Sequence, residues 1–317
     1  MYLIFTEEIG SLMKIAVMGT GGMGGYYGGY LAAAECDVTF IARGEHLEAI
    51  RRDGLSLRGE NGDIHINPTS ATDNPSSIGP VDIVLFCVKL YDVERAAELI
   101  KPLIKKNTIV ISFLNGIDGP ERLAKIIGKE HVIGGAAYAS AVIEAPGVVR
   151  YKGTKGHFKI GYLDGTVNKR LKEFQNLYSK TPIECEISDD ILATLWDKFV
   201  LLATNSGLSC ICRQPVGIIY NDPSLLDLAM TMMQEVKSLA IAQNIKIDDN
   251  IIEKSVAWSK SAPSDLYASM YHDLRKGRPL ELAGMSGFVA NLGEELEIAT
   301  PCHKTVFACL KPYIDGS

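Results

Sequence analysis

Lys198 stands in Leu195-Trp196-Asp197-Lys198-Phe199-Val200, a cation on an otherwise apolar helix pattern. Such a lysine either reaches solvent along its methylene stem or has its ammonium held where charge is wanted. Glu281 lies in Pro279-Leu280-Glu281-Leu282, the first turn of an apolar helix that Pro279 would open, where a carboxylate complements the helix dipole. Lys89 and Asn115 close the apolar strand patterns Val81–Lys89 and Thr108–Leu114, and ligands of open α/β sheets gather at such strand ends. Lys89 reads as a contact to cofactor phosphate or ribose, or as an exposed strand-end lysine. Asn115 can donate to one ligand and accept from another, or simply forms an Asn-Gly turn. Ser269, in Ala268-Ser269-Met270, occupies an ordinary helix face.

A cofactor for these groups is signalled by Gly19-Thr20-Gly21-Gly22-Met23-Gly24, which follows the apolar run Lys14–Met18 and opens a small-residue helix. Gly19 permits the tight turn off the strand, Gly21 lets backbone approach a pyrophosphate, and Gly24 lets the helix lie close to the sheet. The helix N-terminus offers unpaired N–H groups and a positive dipole end to phosphate. The loop therefore predicts a bound dinucleotide. NAD-preferring folds carry an acid at the end of the second strand, but here that strand, 37–42, runs into Ala42 and Arg43. An arginine there can meet a 2′-phosphate by bidentate, charge-assisted contact, which predicts NADPH over NADH; a solvated surface arginine is the alternative.

The elements that would position these residues alternate strand and helix as far as Ile187. Two short strands at 55–58 and 64–66 flank a hairpin turn, a helix spans 93–104, and strands are expected at 132–142, 147–152 and 157–162. A helix at 168–180 and an edge strand at 183–187 complete the first domain. From Ser188, a plausible N-cap, helix periodicity takes over, with helices near 223–244, 248–261, 264–276, 279–295 and 300–314. The expectation is an α/β chain: an N-terminal Rossmann-type dinucleotide-binding domain, 13–187, followed by an all-α C-terminal domain, 188–317.

At 317 residues, 47% of them apolar, the chain is long enough for two globular domains. A net charge of −6 with scattered basic residues argues against a nucleic-acid or anionic-membrane partner. Seven cysteines without paired spacing and six dispersed histidines point to free thiols and no metal site. Residues 1–12 lack a basic n-region and read as an upstream extension or a generous start-codon assignment, and no apolar run reaches a membrane span, so a cytoplasmic location is expected. The late helices could form a homodimer interface or a contact between domains.

The glycine loop, Val88-Lys89, Leu114-Asn115-Gly116, Leu195-Trp196-Asp197-Lys198, Ala268-Ser269-Met270 and Leu280-Glu281-Leu282 occur in an order and spacing that resemble the ketopantoate reductases from Met13 onward. The resemblance implies NADPH-dependent reduction of a 2-oxo acid, 2-dehydropantoate to pantoate in pantothenate and coenzyme A synthesis, in a cleft between a Rossmann and a helical domain. It implies Lys198 as proton donor, Glu281 as its carboxylate partner, Asn115 as the amide near nicotinamide and substrate, and Ser269 as a substrate contact. The family's lysine helix carries asparagines four and eight positions after the lysine; here Leu202 and Ser206 stand there, and Ser206 can still donate to a carboxylate or hydroxyl. Ala283 and Ser286 replace a usual acid and asparagine after the glutamate, giving a less polar pocket. Two other readings remain open. One is a reductase of another 2-oxo acid or a β-hydroxyacid dehydrogenase; the other is a non-enzymatic NADPH sensor.

Overall fold

The structure is a computed structural model that describes residues 13–316, so the reading of residues 1–12 lies outside the described residues. The chain forms two compact units. One takes the residues up to Val88, Asp92–Leu114 and Pro120–Asp189; the other takes Lys89–Tyr91, Asn115–Gly119 and the chain from Asp190 onward.

The first unit is built on strands β1 (Lys14–Met18), β2 (Asp37–Ile41), β3 (Leu55–Arg58), β4 (Ile64–Ile66), β5 (Ser70–Thr72), β6 (Ile83–Phe86), β7 (Ile109–Ser112), β8 (Val132–Ala145), β9 (Val148–Tyr162) and β10 (Ile183–Ile187). They make one mixed sheet in the order β4-β3-β9-β8-β7-β6-β1-β2-β5, with β10 added on β9. Every pair from β5 through β8 is parallel. All four residues of β6 and of β7 are buried, which is why these strands read as unbroken apolar runs rather than as alternating ones. Helices α1 (Gly22–Ala33), α2 (Gly44–Asp53), α3 (Val93–Ile100), α4 (Gly119–Ile127) and α5 (Lys169–Leu177) connect the strands.

The core of this unit gathers on the tyrosines of α1. Tyr27 lies 5.0 Å from both Phe113 and Phe158, and the Tyr30 hydroxyl meets that of Tyr151 at 2.9 Å. Large rings supply the buried apolar area, and the Tyr27 hydroxyl donates to the His157 carbonyl at 3.2 Å. One expectation fails here: the segments 147–152 and 157–162 are not two strands but the single strand β9. Gly153, at φ +89°, sits in the polar stretch that reads as a turn. The ladder with β8 breaks there, stepping from Ser140–Lys152 to Tyr138–His157 across a register shift, and β9 bulges through the gap before pairing resumes, with β10 joining it from Gly156. Helix α4 lies outside the expected elements although its sequence spaces Leu123, Ile126 and Ile127 along one face behind Pro120, whereas the three-residue strand β5 gives no such signal.

Among the described residues the second unit is helical: α6 (Ile191–Cys212), α7 (Val216–Ile219), α8 (Pro223–Ala242), α9 (Ile251–Ser261), α10 (Ser269–Arg275), α11 (Ser286–Glu295) and α12 (Pro301–Leu310). Three expectations shift. The cap of α6 is Asp190, not Ser188: its carboxylate accepts the Ala193 N–H at 3.0 Å. Helix α10 begins at Ser269 rather than near 264. Pro279 opens no helix, because Leu280 is extended and donates its N–H to the Ile314 carbonyl at 2.9 Å; Glu281–Gly284 is a single 3-10 turn and α11 starts only at Ser286.

Inside this unit Glu235 of α8 accepts the Cys302 and His303 N–H groups at 2.8 and 3.0 Å, capping the start of α12. Burial pulls His303 down to about 4, so its ring is neutral near pH 7 and shares hydrogen bonds with Ser286 and the Met232 carbonyl. Asp190→Ala removes the α6 cap and should lower unfolding stability by about 1 kcal/mol. Asp189→Ala, at an exposed position that makes no such bond, should leave thermal unfolding unchanged.

Candidate active site

In the second unit Glu281 is only 4% exposed, and a carboxylate so buried must be compensated. Its Oε1 accepts the Leu90 N–H at 3.1 Å and its Oε2 accepts from Lys89 Nζ at 3.1 Å. Lys89 Nζ also reaches Asp273 Oδ2 at 2.8 Å. Burial alone would pull Lys89 down, but the charges of Glu281 and Asp273 outweigh it and hold its pKa well above the ordinary lysine range. One ammonium thus ties together two carboxylates drawn from α10 and from the turn before α11.

Lys198 faces a different balance. Trp196 and Phe199, its neighbours on α6, are buried and pack edge-on with each other and with Phe288. Burial is the larger influence on Lys198 and lowers its pKa to about 8, while the negative charge of Glu281 pushes the other way. A lysine in that range is still largely protonated at neutral pH and gives up its proton readily, which suits a general acid. The four charged groups, two ammoniums and two carboxylates, sum to zero.

The structure brings Lys198, Glu281 and Lys89 into one electrostatic cluster and adds Asp273, which the sequence does not single out. Asp273 lies four residues after Ser269 on the same short helix and looks there like any surface acid; its burial at 8% exposure is a tertiary fact. Lys89 is expected to touch cofactor, yet its ammonium is bound to two protein carboxylates. Glu281 is not a helix-dipole carboxylate, since the helix it was expected to open does not form there. Asn115 is half-buried and its amide has no hydrogen-bond partner among the described residues. Ser206 is fully buried on α6, one residue past Asn205, whose side-chain oxygen accepts the Tyr220 hydroxyl at 2.7 Å. Ser269 is exposed at the first position of α10. Of the substituted positions, Ser286 is wholly buried against His303 and Ala283 is exposed.

The glycine loop belongs to the first unit. Gly19 has φ +91°, and a Cβ there would stand 2.9 Å from the Cys87 carbonyl oxygen. At Gly24 a Cβ would meet the Gly19 oxygen at 2.2 Å and Val17 of β1 at 2.9 Å, and at Gly22 it would meet the Ala141 oxygen at 2.0 Å. Gly21 differs from these three: its φ of −87° suits any residue, and a Cβ would meet no protein atom within 4 Å. Neither backbone nor packing demands glycine at position 21, so the remaining demand is room for a group from outside the chain. Helix α1 has no side-chain cap and no acid in its first turn, leaving its N–H groups available to phosphate. The loop fits a dinucleotide pyrophosphate. Thr20 is buried, and its N–H and hydroxyl both donate to the Ile41 carbonyl at 3.0 Å, fastening the loop to the end of β2; Met23 packs on the core. Arg43, at the N-cap of α2, has a side chain 68% exposed and meets Asp92 at 3.5 Å. An exposed pair of that length contributes about 1 kcal/mol or less.

The sequence from 15 to 165 matches the family model described as ketopantoate reductase PanE/ApbA, and 190 to 314 matches that of its C-terminal domain. The uncharacterized oxidoreductase YkpB of Bacillus subtilis (strain 168) is 28% identical over 301 residues, covering 95% of this chain and 99% of that protein. The crystal structure of a 2-dehydropantoate 2-reductase from Geobacter metallireducens GS-15 is 30% identical, with a TM-score of 0.89 over 95% of this chain and 99% of the other. A D-mandelate dehydrogenase solved with NADH and anilino(oxo)acetate, 24% identical, shares the fold at a TM-score of 0.87 over 95% of this chain and 98% of the other. By class, then, the chain is an oxidoreductase with a Rossmann-type unit and a helical unit. It belongs to the ketopantoate reductase family.

Replacing Lys89 tests what its ammonium is for. Lys89→Met removes the ammonium that Glu281 and Asp273 share, leaving the Leu90 N–H and the charge of Lys198 to compensate Glu281, and should cost about 1–3 kcal/mol, less than a fully buried pair because Lys89 is partly exposed. Turnover and melting temperature should both fall, while cofactor affinity measured by fluorescence titration stays within about threefold. Loss of cofactor affinity with turnover retained would return Lys89 to the phosphate-contact role.

Proposed function

We propose that the protein is an NADPH-dependent 2-dehydropantoate 2-reductase, acting in the cytoplasm in pantothenate synthesis. The observation that carries this reading is the lowered pKa of Lys198 beside the held carboxylate of Glu281. Family membership supports the substrate class, a 2-oxo acid, and Gly19–Gly24 with Arg43 support the cofactor. Bound NADPH supplies a hydride to the ketone carbon. As negative charge grows on the carbonyl oxygen, the Lys198 ammonium stabilises it and then transfers its proton to the alkoxide. Glu281 keeps Lys198 protonated and orients it, Lys89 and Asp273 keep Glu281 in place, and Asn115 offers its unpartnered amide to substrate or nicotinamide. Arg43 would meet the 2′-phosphate and the α1 N-terminus the pyrophosphate.

A second reading, reduction of a less polar 2-oxo acid, draws on the substituted positions. Leu202 replaces an amide on the face of α6 that carries Lys198, and the Ser286 hydroxyl is already engaged by His303, so neither offers the substrate what the family's asparagines offer. Purified protein with NADPH and a panel of 2-oxo acids, followed by loss of the dihydronicotinamide absorbance, separates these. Turnover of 2-dehydropantoate supports the first reading, and preference for an acid with an apolar side chain supports the second. Cofactor binding without turnover of any acid overturns both in favour of a sensor.

The pH dependence follows from Lys198. The group is active as the ammonium, present below about 8 and lost as pH rises through that value. The rate of ketone reduction should therefore fall above about pH 8. In Glu281→Gln that limb should move to lower pH, because the carboxylate's charge favours the protonated lysine. Lys198→Ala should lower kcat by about 10²–10⁴-fold; a variant with normal turnover would sink the mechanism.

A further inference from the structure

The end of β2 lacks the acid that binds the ribose 2′-hydroxyl in NAD-preferring folds, yet the guanidinium of Arg43, the residue that stands after it, meets a carboxylate from elsewhere in the first unit. Asp92 is the N-cap residue of α3, but its side chain makes no cap hydrogen bond. With φ −104° and ψ 0° at the end of a 3-10 turn, Asp92 lies outside the extended geometry of a capping residue, so its carboxylate serves other donors. These are two guanidiniums: Oδ1 accepts from Arg95 at 2.6 Å, and Oδ2 faces Arg43 at 3.5 Å. Asp92 is the better fixed member of the pair with Arg43, its side chain 22% exposed against 68%.

We infer that Asp92 is a specificity-determining residue for the cofactor, standing in for the missing strand-end acid and letting the site accept NADH as well as NADPH. The inference rests on the reading of Arg43 as the 2′-phosphate contact. With NADH, the Asp92 carboxylate can accept from the ribose hydroxyls. With NADPH, Arg43 must leave Asp92 for the phosphate, and the carboxylate left behind repels that dianion. The Arg43–Asp92 contact is long and exposed, so a phosphate can displace it. The short Arg95 contact keeps the carboxylate from following.

The test is equilibrium binding of NADPH and of NADH to the full chain without substrate, read from nicotinamide fluorescence. In Asp92→Asn, NADPH should bind severalfold more tightly and NADH severalfold more weakly. Arg95→Met, which leaves Asp92 with Arg43 as its remaining guanidinium, should move NADPH the opposite way, to weaker binding. Unchanged circular dichroism confirms that each variant is folded. Arg43→Ala is the arm that tests the underlying reading: it should weaken NADPH far more than NADH, and equal loss for both refutes the 2′-phosphate contact itself. If Arg43→Ala is selective but Asp92→Asn and Arg95→Met leave both affinities within twofold of the parent, the role of Asp92 alone is overturned.

Discussion

The carboxylate of Glu281 is buried, and a buried charge must be paired. That one constraint orders the helical unit around the proposed chemistry. Lys89 and the Leu90 N–H come to Glu281 from a three-residue stretch that packs with the helices although it directly follows a strand of the sheet unit. Asp273 arrives because a single ammonium 2.8 Å away can serve two acids. The negative charge held there is then what offsets the burial of Lys198 and keeps its proton available at neutral pH.

The sheet unit solves a different problem, keeping backbone close to backbone around a turn. Gly19, Gly22 and Gly24 are glycines for reasons internal to the protein: a positive φ, a strand of β8 pressed on the helix start, and the contact of α1 with β1. Only Gly21 is glycine without an internal reason. The loop's steric requirements and its ligand requirement therefore fall on different residues, although all appear in sequence as one motif.

Much of the fold is legible because it is local. Unbroken apolar runs mark the buried parallel strands, a glycine turn between strand and helix marks the nucleotide loop, and 3.6-residue periodicity marks the later helices. The misreadings come where a local signal meets a tertiary one. A glycine-bearing polar stretch separates two strand patterns but folds as a bulge inside the single strand β9, and Pro279 reads as a helix start but lies in an extended segment tied to Ile314. Within the candidate site, Lys198 is conspicuous as a cation among aromatics, and Glu281 draws notice only by resemblance. Asp273 is invisible, since nothing near it in the chain distinguishes it from a solvated acid.

What the sequence alone determined is the set of parts: a sheet unit with a glycine loop, a helical unit, a lysine in an apolar helix, and an arginine where an acid might have stood. Those follow from residue type and short-range spacing. Only the tertiary structure decided the pairings, Lys89 with a glutamate 192 residues away, Asp273 beside it, and Asp92 against Arg43. Charge pairing depends on distance and burial, and neither is set until the chain has folded.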